Sequence, residues 1–221
     1  MIRLSVDTSF DHVGLCLTRE GKPVANYYSL CKRRNSKIIF QIIDEIFRNT
    51  NITLAEVDAY VINCGPGSYT GVRIGMAIVK TFAQVNKKPI IQVNSIELLA
   101  NQIYHFKEPF YVVLNCNRGE IFYSKFKILD HQPSSQTPIK MTNIGTFHEE
   151  KGSSPVVLYR IYPERNDNES LFSKLLDLPR DYPVPDAFLL DRIGEKKMSS
   201  PKFDPNLPIN PLYIKRETGN L

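Results

Sequence analysis

The first thirty residues hold three strand-like runs, at 2 to 7, 12 to 18 and 23 to 30, joined only by Thr8-Ser9-Phe10-Asp11 and Arg19-Glu20-Gly21-Lys22. Links this short leave no room for a crossover, so the runs must fold as an antiparallel meander. Asn35 and Ser36 can cap a helix running to about Arg48, and 58 to 64 reads as a buried strand. Gly65 to Gly71 turns the chain into a second helix at 71 to 86. A strand at 90 to 93 and a third helix from Ser95 to His105 follow, with Asn94 and Glu97 at capping-box spacing.

The second half begins in the same way. Residues 110 to 116 and 120 to 128 predict a hairpin around Asn117-Arg118-Gly119, with further strands near 139 to 144 and 155 to 159. Helical stretches are expected at 169 to 178 and 186 to 198. This order reads as a degenerate duplication: an α/β chain of two mixed sheets flanked by helices, with a first lobe at 1–105 and a smaller one at 106–221. Pro133 to Pro138, Asp181 to Pro185 and Pro201 to Pro211 read as loops, because proline removes an amide donor and fixes its backbone angle. Leu212-Tyr213-Ile214 is an apolar tail expected to pack down as a strand or anchor.

Composition narrows the function. A 42% hydrophobic share is enough for a core, and no apolar run approaches the roughly 20 residues of a membrane span. The four cysteines are widely spaced, three of them in apolar runs, and the N-terminus has no leader-like pattern, which points to a cytoplasmic protein. The net charge of +5 is scattered in short pieces such as Lys32-Arg33-Arg34 and Lys87-Lys88, as on a solvated surface. His12, His105, His131 and His148 are too far apart to share a helix face, so no metal site is expected. No Gly-x-Ser-x-Gly nucleophile motif occurs, so no catalytic residue is expected either.

Two segments carry candidate chemistry. Asp7-Thr8-Ser9 ends a buried strand, where its carboxylate and hydroxyls suit a turn whose side chains bond their own backbone, or hydrated magnesium and phosphate oxygens. Gly65-Pro66-Gly67-Ser68-Tyr69-Thr70-Gly71 joins a strand to a helix, the place for an anion, or for a tight turn needing Gly67. It is not a P-loop, since Val72-Arg73 stands where Lys-Ser or Lys-Thr is required.

The helices add a second kind of signal. At 100° per residue, Ile38, Ile39, Phe40, Ile42, Ile43, Ile46 and Phe47 span an arc of about 200°. Val72, Ile74, Ile78, Val79, Phe82, Ala83 and Val85 span a similar one on the second helix, where Gly71 and Gly75 lie four apart. A stripe of only about 100° suffices to dock a helix on its sheet. The surplus fits either a partner helix pair or cover by the second lobe.

The run Leu4-Ser5-Val6-Asp7-Thr8-Ser9, the Asn35-Ser36 helix start and Gly65-Pro66-Gly67-Ser68-Tyr69-Thr70-Gly71-Val72-Arg73-Ile74-Gly75 together resemble the bacterial tRNA threonylcarbamoyladenosine biosynthesis protein family TsaB, also called YeaZ. The likeness covers residues 1 to about 104. It implies an actin-like ATPase fold (ribonuclease H-like) of two related lobes. It also implies a non-catalytic subunit that pairs with a TsaD-type paralogue holding ATP and metal, joined by a TsaE-type ATPase, with tRNA bound through the complex. Docking on the paralogue, or on a second copy as a homodimer, is implied through Ile38, Ile39, Ile42, Ile46, Gly71, Ile74, Gly75, Ile78 and Phe82. Asp7, Thr8, Ser9, Gly65, Gly67 and Ser68 become a vestigial phosphate site, with no cofactor of the chain's own. The sequence departs from the family at Asn35, where many members have His, and Ser9-Phe10-Asp11-His12 lacks the paralogue's phosphate-wrapping glycine. An ATP-dependent phosphotransferase or peptidase on the same fold is the alternative.

Overall fold

A computed structural model describes residues 1–30, 36–103, 106–115, 120–160 and 186–214. They fall into two compact units, Met1–Ser95 with Pro185–Leu212, and Ile96–Val184 with Tyr213–Leu221. The helix expected at 169–178, the turn at 117–119, the Asn35 cap and His105 lie outside the described residues.

In the first unit the meander forms as β1 (Ile2–Asp7), β2 (His12–Arg19) and β3 (Lys22–Leu30). Glu20 and Gly21 both take positive φ, 52° and 73°, the backbone of a type I′ hairpin whose twist matches its strands. α1 (Ser36–Thr50) and α2 (Tyr69–Asn86) are crossovers that bring β4 (Ala59–Asn63) and β5 (Ile90–Val93) in parallel to β1. The order is β3-β2-β1-β4-β5. Both helices cover one face, where Leu4, Val6, Leu15, Leu17, Tyr60 and Ile62 meet Ile39, Ile42, Ile43, Met76 and Val79 in one cluster. Burial there pushes the Tyr60 hydroxyl up to about 12. α3 (Ser95–Ala100) is shorter than expected, with turn bonds Gln102 N to Leu99 O and Ile103 N to Ala100 O ending it.

The second unit repeats the plan in reduced form. β6 (Phe110–Asn115) and β7 (Glu120–Leu129) pair antiparallel, and β10 (Val156–Arg160) lies parallel to β6, as β4 does to β1. β7 also pairs with β8 (Gln132–Ser135) along its second half and with β9 (Lys140–Asn143) along its first. The loop expected at 133–138 is therefore partly a strand. Pro133 fits because β8 is at the sheet edge, where the missing donor leaves no ladder bond broken. α4 (Ile144–Lys151) is a helix that sequence periodicity misses: only Ile144 and Phe147 are buried. Asn143 caps it by accepting from Thr146 N at 2.9 Å, and Phe147 packs on Tyr111 and Tyr123 with ring centroids 5.3 and 4.9 Å away.

α5 (Ala187–Met198) overturns the boundary expected near 106, with 106–221 as one lobe. It packs on the first unit's sheet, on the face opposite α1 and α2. The cause is electrostatic as well as apolar. Alternation along β1 turns Arg3 and Ser5 away from Leu4 and Val6, and the buried Arg3 needs a carboxylate. Asp191 supplies one, accepting from Nε at 3.0 Å and Nη2 at 2.7 Å, while Glu195 lies 3.1 Å from Nη1. Burial disfavours the Arg3 charge, but these carboxylates more than offset it, so the guanidinium pKa is raised. The segment after α5 returns along the β5 edge without regular structure. Asn210 N bonds Gln92 Oε1, Gln92 Nε2 bonds Pro208 O, and Leu212 N bonds Cys64 O at 2.8 Å, so the backbone is held at Leu212, but the Leu212 and Tyr213 side chains stay exposed and do not pack down as expected.

Candidate functional site

The segments at 7–9 and 63–75 meet where β1 and β4 end side by side. Ser9 N and Ser9 Oγ donate to Asp7 Oδ1 at 2.9 and 2.7 Å, and Asn63 Nδ2 donates to Asp7 Oδ2 at 3.1 Å and to Ser9 Oγ at 2.7 Å. Asn63 Oδ1 in turn accepts from Gly65 N and from Ser95 Oγ, at 3.0 and 2.9 Å. Thr8 Oγ1 donates to Gly71 O at 2.7 Å, Ser68 N donates to Ser9 O at 2.7 Å, and Ser68 Oγ caps α2 by accepting from Gly71 N. Asp7, Thr8, Ser9, Asn63, Ser68 and Ser95 are all buried.

The glycine loop is thus closed onto the first turn. A Cβ on Gly67 would lie 2.3 Å from Ser9 O, and one on Gly75 would lie 2.4 Å from Thr8 Oγ1. No side chain fits at either place, because the chain's own β1–β2 turn fills the space. Gly75 therefore admits Thr8. Asp7, Thr8, Ser9, Gly65, Gly67 and Ser68 come together as a knot whose donors and acceptors serve one another, and Gly67 is required there by its close approach to Ser9 O, while the positive φ of the loop lies at Gly65. Asn63 and Ser95, the hubs of this knot, were not singled out in the sequence. Their only signal was polarity beside two apolar strand runs: Asn63 ends β4, and Ser95 opens α3 two residues after β5.

His12 is the other residue the sequence undervalued. It is fully buried, its ring lies 5.7 Å from Phe10 and 4.7 Å from Tyr28, and its Nε2 is 3.8 Å from Asp7 Oδ2. Burial, then the Asp11 and Asp7 carboxylates, raise the Tyr28 pKa. Among the described residues no three His, Cys, Asp or Glu side chains converge as a metal site, and no helix is long and apolar enough to cross a membrane.

The partner face needs correcting residue by residue. Ile39, Ile42, Ile46 and Ile78 belong to the unit's own core, and Gly71 and Gly75 are buried. Ile74 and Phe82 are half-buried against that core, and Ile38 alone of the nine is exposed. The wide arcs arise because each helix packs on the sheet with one flank and on the shared cluster with another. Beside Ile38, Phe40 is 47% exposed and Val85 69% exposed, with the Phe40 ring 6.3 Å edge-on to Phe82. Tyr69, with Arg73 stacked 3.8 Å over its ring, adds an exposed aromatic at the start of α2.

The family model described as TsaD, tRNA N6-adenosine threonylcarbamoyltransferase, matches residues 29–148, more than half of the chain. The chain belongs to this family. Relatives of this TsaD-family chain carry both names used for the group. "tRNA threonylcarbamoyladenosine biosynthesis protein TsaB" of Bacillus subtilis (strain 168) is 32% identical over 55% of this chain and 53% of its own length. A "tRNA N6-adenosine threonylcarbamoyltransferase" of Phytoplasma australiense is 25% identical over 56% and 43%. The chain spans about half the length of the curated relatives it matches. YeaZ from Pseudomonas aeruginosa superposes on 96% of this chain and 99% of that one, with a TM-score of 0.73 at 16% identity. The resemblance to TsaB holds, and the expected architecture of mixed sheets flanked by helices is the one this TsaD-family chain adopts.

Proposed function

We propose that this chain is a non-catalytic scaffold in forming threonylcarbamoyladenosine beside the anticodon of tRNA. It docks on a TsaD-type paralogue, which holds the ATP and metal. A TsaE-type ATPase joins the pair, and tRNA is bound through the assembly. The observation that carries this reading is the apolar row on α1 and α2 in which Phe40 and Val85 are exposed beside the half-buried Phe82. A monomeric soluble surface rarely leaves such side chains contiguous without a partner. The closed glycine loop supports it as well, since a phosphate would have to displace bonds that hold β1, β4 and α2 together.

Co-purification with the TsaD-type protein of the same organism is the test. Phe40→Asp with Val85→Asp should leave the fold intact, because both side chains are exposed, and should abolish association. Full association by the double variant refutes the docking face. The enzyme reading makes the opposite forecast in calorimetry: tight magnesium–ATP binding by the chain alone, lost in Asp7→Ala.

A further inference from the structure

The segment that leaves α5 runs beside β5 as irregular chain, and the space between them is a cavity of about 250 Å³ that lies wholly within the first unit. Its cause is a side chain standing where backbone would pair. Gln92 Nε2 donates to Pro208 O and Gln92 Oε1 accepts from Asn210 N, both at 3.2 Å, so an amide side chain is interposed between the two backbones. Ladder-paired strands lie about 4.8 Å apart, and a glutamine bridge holds this segment farther out. Phe203 N donates to Ser200 O and Leu207 N to Asp204 O, so those amides are satisfied within the segment itself and not by β5.

The lining combines an apolar wall with a basic mouth. Ile90, Ile91, Phe203 and Ile209 form the wall, and the exposed side chains of Lys202 and Leu207 stand where the cavity meets solvent. Lys197 lines it as well, its ammonium tethered by donating to Gln92 O at 3.1 Å. Asp204 is the one carboxylate in the lining, and its Oδ1 accepts from Asn206 N at 2.9 Å. Among the described residues no carboxylate is within ion-pair range of Lys202. Two lysines against one aspartate leave the lining with a formal charge of +1.

We propose that this cavity binds a small apolar monocarboxylate, with its hydrocarbon chain against the isoleucines and Phe203 and its carboxylate at Lys202 and Lys197. Water needs two to four polar partners, and the apolar wall supplies none, so a hydrocarbon chain displaces that water favourably. The carboxylate stays at the mouth, where bonds from ammonium groups are charge-assisted. Size limits the ligand. At roughly 30 Å³ per water the cavity holds about eight waters, so it suits a molecule of about eight heavy atoms, the size of hexanoate. Drug-sized ligands take pockets of about 300 Å³ upward. This site is separate from the α1–α2 row and does not depend on the scaffold reading.

Nuclear magnetic resonance of the full chain, labelled at its isoleucine methyl carbons and titrated with hexanoate, tests it. The Ile90, Ile91 and Ile209 methyls should shift and saturate with a Kd below about 20 mM, the weakest value that ordinary binding efficiency per heavy atom gives for a ligand of this size. Hexan-1-ol should bind about tenfold more weakly, and so should hexanoate to Lys202→Gln, because each change removes a charge-assisted contact. Hexylammonium should leave those methyls unmoved. Lys202 is exposed, and an unchanged circular dichroism spectrum confirms that its variant folds. The proposal is overturned if hexanoate gives no saturating shift at those three isoleucines. It is equally overturned if hexan-1-ol or hexylammonium binds there as well as hexanoate, or if Lys202→Gln binds hexanoate undiminished.

Discussion

Replacing Asp191 by Ala tests whether a helix from the far end of the sequence belongs to the first sheet's core. The buried carboxylate accepts two bonds from Arg3, one from Ser5 Oγ at 3.0 Å and one from Thr18 Oγ1 at 3.2 Å. Without it, a guanidinium that is 1% exposed keeps only Glu195 as a carboxylate partner. Stranding a buried charge costs about 3–5 kcal/mol, and the two hydroxyl bonds add about 1–2 kcal/mol. At a slope of about 2 kcal/mol per molar urea, the midpoint falls by about 2–3.5 M. Urea unfolding followed by circular dichroism reads this directly. Arg3→Leu with Asp191→Leu removes both charges and fills the space, so it should unfold within about 1–2 kcal/mol of the native chain. Loss of less than about 1 kcal/mol in Asp191→Ala, or a double variant as damaged as the two single variants summed, refutes the buried-pair account.

Three further outcomes follow from the same geometry. Gly75→Ala should cost about 1–3 kcal/mol in thermal unfolding, because its Cβ meets Thr8 Oγ1, and adding Thr8→Ala should return part of that loss. Asp58 accepts Ile2 N at 2.9 Å and Lys88 Nζ at 3.3 Å, the backbone bond being the larger cause of its lowered pKa. A depressed folded value means stability present above the ordinary 3.8 and lost as pH falls through the folded value. Asp58→Asn should therefore cost up to about 1 kcal/mol at neutral pH and nothing in acid, as read by urea unfolding across pH. Burial, then the Asp191 and Asp186 carboxylates, push the Cys16 thiol up to about 12, so iodoacetamide should spare it in the folded chain at mildly alkaline pH and label it in urea. Equal labelling in both states contradicts that burial.

The first unit's elements were legible because their signals are local. Period-two runs, a Glu20-Gly21 turn with both φ values positive and a serine cap at Ser68 each act within a few residues. α4 was not legible, since two buried residues make no periodic pattern, and neither was β8, whose Pro133 is tolerated only because the strand lies at an edge. The site was half legible. Asp7-Thr8-Ser9 and the glycine loop were named, but that the two segments bond to each other depends on how closely they approach, which Gly67 against Ser9 O shows only in the folded chain. The partner face erred for a related reason: helix arcs count apolar residues without knowing how much of each arc the sheet and the neighbouring helix consume.

By itself the sequence determined the strand meander, the helix crossovers and the motif that places the chain in its family, because backbone preference and side-chain period act over a few residues. Only the tertiary structure decided that 186–212 returns to the first sheet, that Asp191 neutralises Arg3 from 188 positions away, and which isoleucines stay outside. Burying a charge is tolerable only beside its opposite, and that proximity exists in space and not along the chain.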